Sequence, residues 1–71
     1  MSEQSPPVEI QRALIEEELR VNRQQYWLTT LRAKSFKKAG FDDLAKSNVE
    51  AAAKIEAYIE VMEAELKGLD A

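Results

Sequence analysis

Apolar residues recur every three or four positions along most of the chain, which is the spacing of an α-helix. Between Val8 and Lys67 the sequence contains one glycine, Gly40, and no proline, so a long helix has one natural place to end. This pattern divides the chain into a flexible N-terminal tail (1–7), helix 1 (about 8–39), a turn (40–42) and helix 2 (about 43–67). Because so short a turn leaves consecutive helices antiparallel and adjacent, the predicted fold is all-α, a two-helix hairpin in one domain over 8–71.

The segment KSFKKAGFDD, residues 34–43, contains the predicted turn. Its lysines suit the negative end of helix 1, Gly40 suits a left-handed residue after that helix, and Phe41 suits the apolar residue that folds back onto it. Asp42 or Asp43 is then expected to cap helix 2. The far ends of the helices are also marked by residues typical of such positions, Ser5 before helix 1 and Gly68 after helix 2.

Helix 1 carries two apolar stripes, and the angle between them is roughly 150° at 100° per residue. The first stripe consists of Ile10, Leu14, Val21, Leu28 and Leu31, interrupted by Glu17 and Gln24. The second stripe consists of Ile15, Leu19, Tyr26, Ala33 and Phe36, interrupted by Asn22 and Thr29. Helix 2 has one main stripe, which is predicted to be Leu44, Asn48, Ala51, Ile55, Tyr58, Met62, Leu66 and Leu69.

One partner helix covers one stripe, so helix 2 must leave a stripe of helix 1 unpaired. The simplest second partner is another copy of the chain, and the expected assembly is a homodimer that forms a four-helix bundle or a coiled-coil assembly. Asn22 and Asn48 fall within the stripes, where a buried asparagine fixes the register of paired helices. The alternative is that both side chains lie at an edge of the seam and contact water.

The composition excludes several classes of function. The chain has 71 residues, with no cysteine and no histidine, so disulfides and the common zinc sites are absent. No glycine-rich phosphate loop is present, and a hairpin this small offers no concave catalytic site. We therefore expect no enzyme activity, catalytic residue, metal or cofactor. No apolar run is long enough to span a membrane and the N-terminus does not resemble a signal peptide, so a cytoplasmic protein without a membrane partner is expected.

Charge changes sign twice along the chain. Residues 1–19 hold five acids and one base, net −4, and residues 20–41 hold six bases and no acid, net +6. Residues 42–71 hold eight acids and three bases, net −5. A hairpin would therefore have an acidic open end and a turn end where the bases gather. Two copies packed head to tail would bring opposite charges together, so the expected dimer is antiparallel.

Trp27 is the main candidate for partner binding because it falls between the two stripes, among charged and polar residues. An exposed tryptophan beside arginines is typical of a binding hot spot. Two other interpretations stay open, namely packing of Trp27 within the hairpin or dimer and stacking of nucleic-acid bases on its ring. The candidate partner surface consists of Trp27, Arg20, Arg23, Leu31 and Lys34. A candidate basic tip consists of Arg32, Lys34, Lys37 and Lys38, beside the turn residues Gly40 and Asp42.

In length and layout the chain resembles the Rop-like plasmid copy-number regulators, helical hairpins that dimerise into four-helix bundles and bind RNA. This resemblance implies an RNA- or DNA-binding regulator that uses the basic stretch of helix 1. The acidic net charge favours a different interpretation, a non-enzymatic, self-associating hairpin that binds an unidentified protein as an adaptor, assembly factor or inhibitor. As a small acidic helical hairpin, the chain is also similar to accessory proteins of phages and mobile elements.

Overall fold

The computed structural model describes residues 4–70 and shows two long helices packed side by side. Helix α1 spans Val8–Ala39 and helix α2 spans Asp42–Leu69. The predicted all-helical hairpin is thus confirmed. The described part measures 52 × 24 × 16 Å, so it is a rod only two helices thick. Of the predicted tail, residues 4–7 precede α1 without helical structure, and residues 1–3 lie outside the described part of the chain.

Gly40 reverses the chain through a Schellman motif. Its φ is 88° and its ψ is 10°, in the left-handed region where a Cβ is unfavourable. The Gly40 N–H donates to the carbonyl of Lys37 at 3.2 Å, and the Phe41 N–H donates to the carbonyl of Phe36 at 2.8 Å. The rings of Phe36 and Phe41 meet edge to face at 6.3 Å between centroids, so Phe41 folds back onto α1.

The helix termini differ from the sequence prediction in three places. Pro7, not Ser5, is the N-cap of α1, since its φ of −55° and ψ of 153° already have the extended geometry of a cap. Phe41 is the N-cap of α2, which therefore begins at Asp42, one residue earlier than expected. Gly68 lies inside α2 without a positive φ, and α2 continues to Leu69.

The second stripe of helix 1 is the one that packs on α2. Its members form a continuous line of buried or half-buried residues, here called the inner face of α1: Ile15, Leu19, Asn22, Tyr26, Thr29, Ala33 and Phe36. The corresponding line on α2 is Ala45, Asn48, Ala52, Ile55, Ile59, Met62, Leu66 and Leu69. Both lines alternate steps of three and four residues, as expected for helices paired along a heptad seam.

Part of the predicted stripe of α2 was wrong. Leu44, Ala51 and Tyr58 were assigned to the seam, but all three are exposed. Ala45, Ala52 and Ile59, one residue later in each turn, take their places. The predicted set and the observed set are both apolar at heptad spacing, so the repeat of seven residues alone did not separate them. A strict alternation of three- and four-residue steps would have identified the correct positions.

The buried part of the hairpin is small. Only Leu19, Ala33, Ala45 and Ala52 among the described apolar residues are buried, together with Thr29. Apart from Leu19, the larger apolar residues of the seam remain half-buried, because two helices shield a side chain from two directions only. A seam of this size leaves much apolar surface exposed elsewhere on the hairpin.

Candidate protein-binding surfaces

The first stripe of helix 1 lies on the side of α1 away from α2. We call this surface the outer face of α1, and it consists of Ile10, Leu14, Val21, Leu28 and Leu31 together with Trp27 beside them. Leu14 is 59% exposed and Trp27 is 66% exposed, while Leu28 is half-buried. Burial of such side chains is favourable by roughly 1.5–3 kcal/mol each, so their exposure in a row marks an unpaired surface.

Trp27 does not pack within the hairpin. Its ring borders an open cleft of about 560 Å³, whose other lining residues are Arg23, Gln24, Gln25 and Leu28. Leu31, one helical turn further on, is also exposed. A large aromatic side chain in this setting has apolar surface to bury and a cleft beside it, which is the local geometry of a hot spot.

The two arginines beside Trp27 are held by carboxylates. Arg20 donates to both carboxylate oxygens of Glu17, at 2.8 and 2.5 Å. This hydrogen bond lowers the pKa of Glu17 and raises that of Arg20. Arg23 reaches across to α2, where its Nη2 lies 2.8 Å from Oε2 of Glu63. Both arginines are therefore oriented by ion pairs within the chain.

The opposite side of the seam is joined by a small polar network. The Tyr58 hydroxyl donates to Oε1 of Glu18 at 3.1 Å, and this hydrogen bond raises the pKa of Tyr58. Asn22 donates to the same carboxylate oxygen at 3.3 Å and to the Glu18 carbonyl at 2.8 Å. Asn48 likewise donates to the carbonyl of Leu44 on its own helix. Neither asparagine donates to the other helix. Asn22 instead donates to the Glu18 carboxylate, which accepts the hydrogen bond from Tyr58 of α2.

A groove runs between the helices on the side marked by the Arg23–Glu63 ion pair, and the sequence analysis did not foresee it. It contains two adjoining cavities of about 450 and 270 Å³, which share Thr30, Ala33 and Val49. The floor is made by alanines of both helices, because small side chains leave the space open. Ala45 and Ala52 at heptad spacing were the signal that could have indicated it.

The basic tip surrounds the turn. Arg32, Lys34 and Lys38 are exposed, and Lys34 also lines the larger cavity of the groove together with Lys46 of α2. Lys37 lies 3.5 Å from the carboxylate of Asp42, at the start of α2. Carboxylates thus lie among the cations, which weakens the positive potential of this end.

No protein-family model, curated protein or solved structure matches the chain. Neither α1 nor α2 contains an apolar stretch that could cross a bilayer. Among residues 4–70 no three acidic side chains come together in a way that could hold a metal ion.

Proposed function

We propose that this hairpin is a non-enzymatic protein-binding module that associates with itself and with another protein. The observation that carries the proposal is the outer face of α1, where Trp27 and its apolar neighbours are exposed on a helix already paired on its other side. The hairpin itself offers a stiff, preformed helix surface. Recognition of one helix by another through an apolar stripe needs no further element of structure.

Trp27→Ala tests this proposal. At a dilution where the chain is monomeric, the substitution should change the free energy of unfolding by no more than about 0.5 kcal/mol, since the side chain has few contacts. Binding of a protein partner should weaken by about 2 kcal/mol or more, which is a factor of roughly 30 in affinity. Proteins that the chain retains from extracts of the source cells are identified by quantitative mass spectrometry. The affinity of each purified partner is then measured by titration.

Val61→Ala is the matched control for this test, because Val61 is 55% exposed but lies on α2. It should retain the partners that Trp27→Ala loses. Equal retention of every protein by the wild-type chain and both variants would contradict a binding role for Trp27.

Binding of RNA or single-stranded DNA is the second candidate, favoured by the exposed cations of the basic tip and by the exposed ring of Trp27. Bases would stack on the ring while Arg32, Lys34 and Lys38 contact phosphates. Such binding should quench the emission of Trp27 and weaken steeply as salt rises. Binding to an apolar protein surface should depend much less on salt, so titrations at two salt concentrations separate the two functions.

A further inference from the structure

We propose that the outer face of α1 is covered by the same face of a second copy, with the two α1 helices antiparallel. This inference rests on the proposed function and names the occupant of its binding surface. The two stripes of α1 lie roughly 150° apart, which is nearly opposite sides of the helix. A second copy on the outer face therefore extends the hairpin into a layer, in which the two α1 helices lie in the middle and an α2 helix lies on each side.

Charges beside the outer face favour the antiparallel orientation. Glu17, which is paired with Arg20, lies within its N-terminal half, and Arg32 lies beside its C-terminal half. The net charge is −4 over residues 1–19 and +6 over residues 20–41. Parallel helices would place like charges together along the whole contact, while antiparallel helices place carboxylates opposite cations at both ends. No comparable reversal of charge is found on the outward side of α2 within residues 42–70, where Asp43, Glu50 and Lys54 alternate with small residues.

The opposite charges of Glu17 and Arg32 select a register for this contact. If the two-fold axis passes between Gln24 and Gln25, residues at equal distances on either side of it meet. Val21 then lies opposite Leu28 of the second copy, and Glu17 lies opposite its Arg32. Trp27 lies at the edge of the contact, one turn from Gln24 and from Leu31. The glutamines therefore lie at the centre, the apolar pair of Val21 and Leu28 lies on either side of them, and opposite charges meet outside that pair.

Two matched substitutions test which face is used. Val21→Asp places a carboxylate in the centre of the proposed contact, and Val61→Asp makes the same change on the outward side of α2. Sedimentation equilibrium should give a dimer whose dissociation constant rises at least about 100-fold with Val21→Asp and less than about twofold with Val61→Asp, since an unpaired charge is costly only where water is removed. Helical circular dichroism of both variants at high dilution checks that the hairpin remains folded.

Engineered cysteines test the orientation, and the natural chain contributes no thiol of its own. Leu14→Cys and Ser35→Cys lie at equal distances from the proposed axis. Mixed under mild oxidation, the two variants should form the mixed disulfide much faster than either variant links to itself. Fast self-linkage of each variant alone would indicate a parallel dimer and overturn the proposed orientation.

The outcomes separate this inference from the proposed function. A dimer that survives Val21→Asp but not Val61→Asp would overturn the α1–α1 contact while leaving self-association intact. A chain that stays monomeric at every concentration, yet loses a protein partner through Trp27→Ala, would overturn the second copy as occupant while the binding role of Trp27 stands. A chain that stays monomeric and has no partner that depends on Trp27 would contradict both the α1–α1 contact and the proposed function.

Discussion

The outward sides of the two helices are built differently, although both helices are long, amphipathic and paired along the same seam. On α1 the outward positions carry large apolar side chains, from Ile10 to Leu31, with Trp27 beside them. On α2 the corresponding positions carry serine, glutamate, lysine and alanine, and Val61 is the one large apolar residue there. The difference is the one expected if, as proposed, α1 packs on a neighbour on two sides and α2 on one side.

The largest expected effect compares leucines on the two sides of α1. Leu19 is 3% exposed and Leu14 is 59% exposed. Leu19→Ala should lower the free energy of unfolding by about 2–5 kcal/mol, since it opens a cavity in the seam. Leu14→Ala should change it by no more than about 0.5 kcal/mol in the monomer. Urea unfolding at high dilution measures both, and equal losses would mean that α1 does not have distinct inner and outer faces.

An intermediate effect is expected at the turn that brings the two helices together. Gly40→Ala should destabilise the hairpin by about 1–2 kcal/mol, because an alanine is strained at a φ of 88°. Gly68→Ala is the matched control and should be neutral or stabilise by up to about 1 kcal/mol, since Gly68 is helical. At neither site would an added Cβ find an atom within 4 Å, so backbone strain alone separates the two. Equal melting temperatures for the two variants would contradict this account.

The smallest effect concerns Glu17, the acid that interrupts the apolar stripe of the outer face. Its hydrogen bond from Arg20 lowers the pKa of Glu17, so the contribution of this pair is present above the ordinary glutamate pKa of about 4.3. The contribution is lost as the pH falls below that value through the lowered pKa. Glu17→Gln should therefore melt slightly below the wild-type chain at neutral pH, and the gap should close in acid. Glu50→Gln, on the outward side of α2, serves as the control, and a gap that widens in acid would contradict the assignment.

The sequence was sufficient for the parts of the fold that depend on local chemistry. Gly40 between lysines and aspartates indicated the turn, and heptad spacing indicated which residues of α1 could pack. The sequence did not reveal which of the two stripes of α1 packs on α2, since either stripe could have done so. The seam of α2 was misassigned at Leu44, Ala51 and Tyr58 because the residues that follow each of them are also apolar at heptad spacing. Only the alternating steps counted back from Leu69 favour the observed set.

The candidate site could be predicted only in part from the sequence. An unusual tryptophan among charged residues drew attention to Trp27, but its exposure depends on which stripe packs inward. The Arg23–Glu63 ion pair could not be predicted, because its two residues are 40 positions apart and the relative height of the helices was unknown. The groove beside that pair is formed by alanines of both helices, and only the heptad spacing of Ala45 and Ala52 could have indicated it.

The position of the Schellman motif has a consequence for the order in which the hairpin forms. The contacts next to it, between Phe36 and Phe41 and between Lys37 and Asp42, close loops of only a few residues. The ion pair between Arg12 and Asp70 closes a loop of nearly the whole chain and carries a larger entropic penalty. The helices are therefore expected to join from the turn outward, and amide hydrogens near the open end should exchange with deuterium long before those near Ala33 and Ala45.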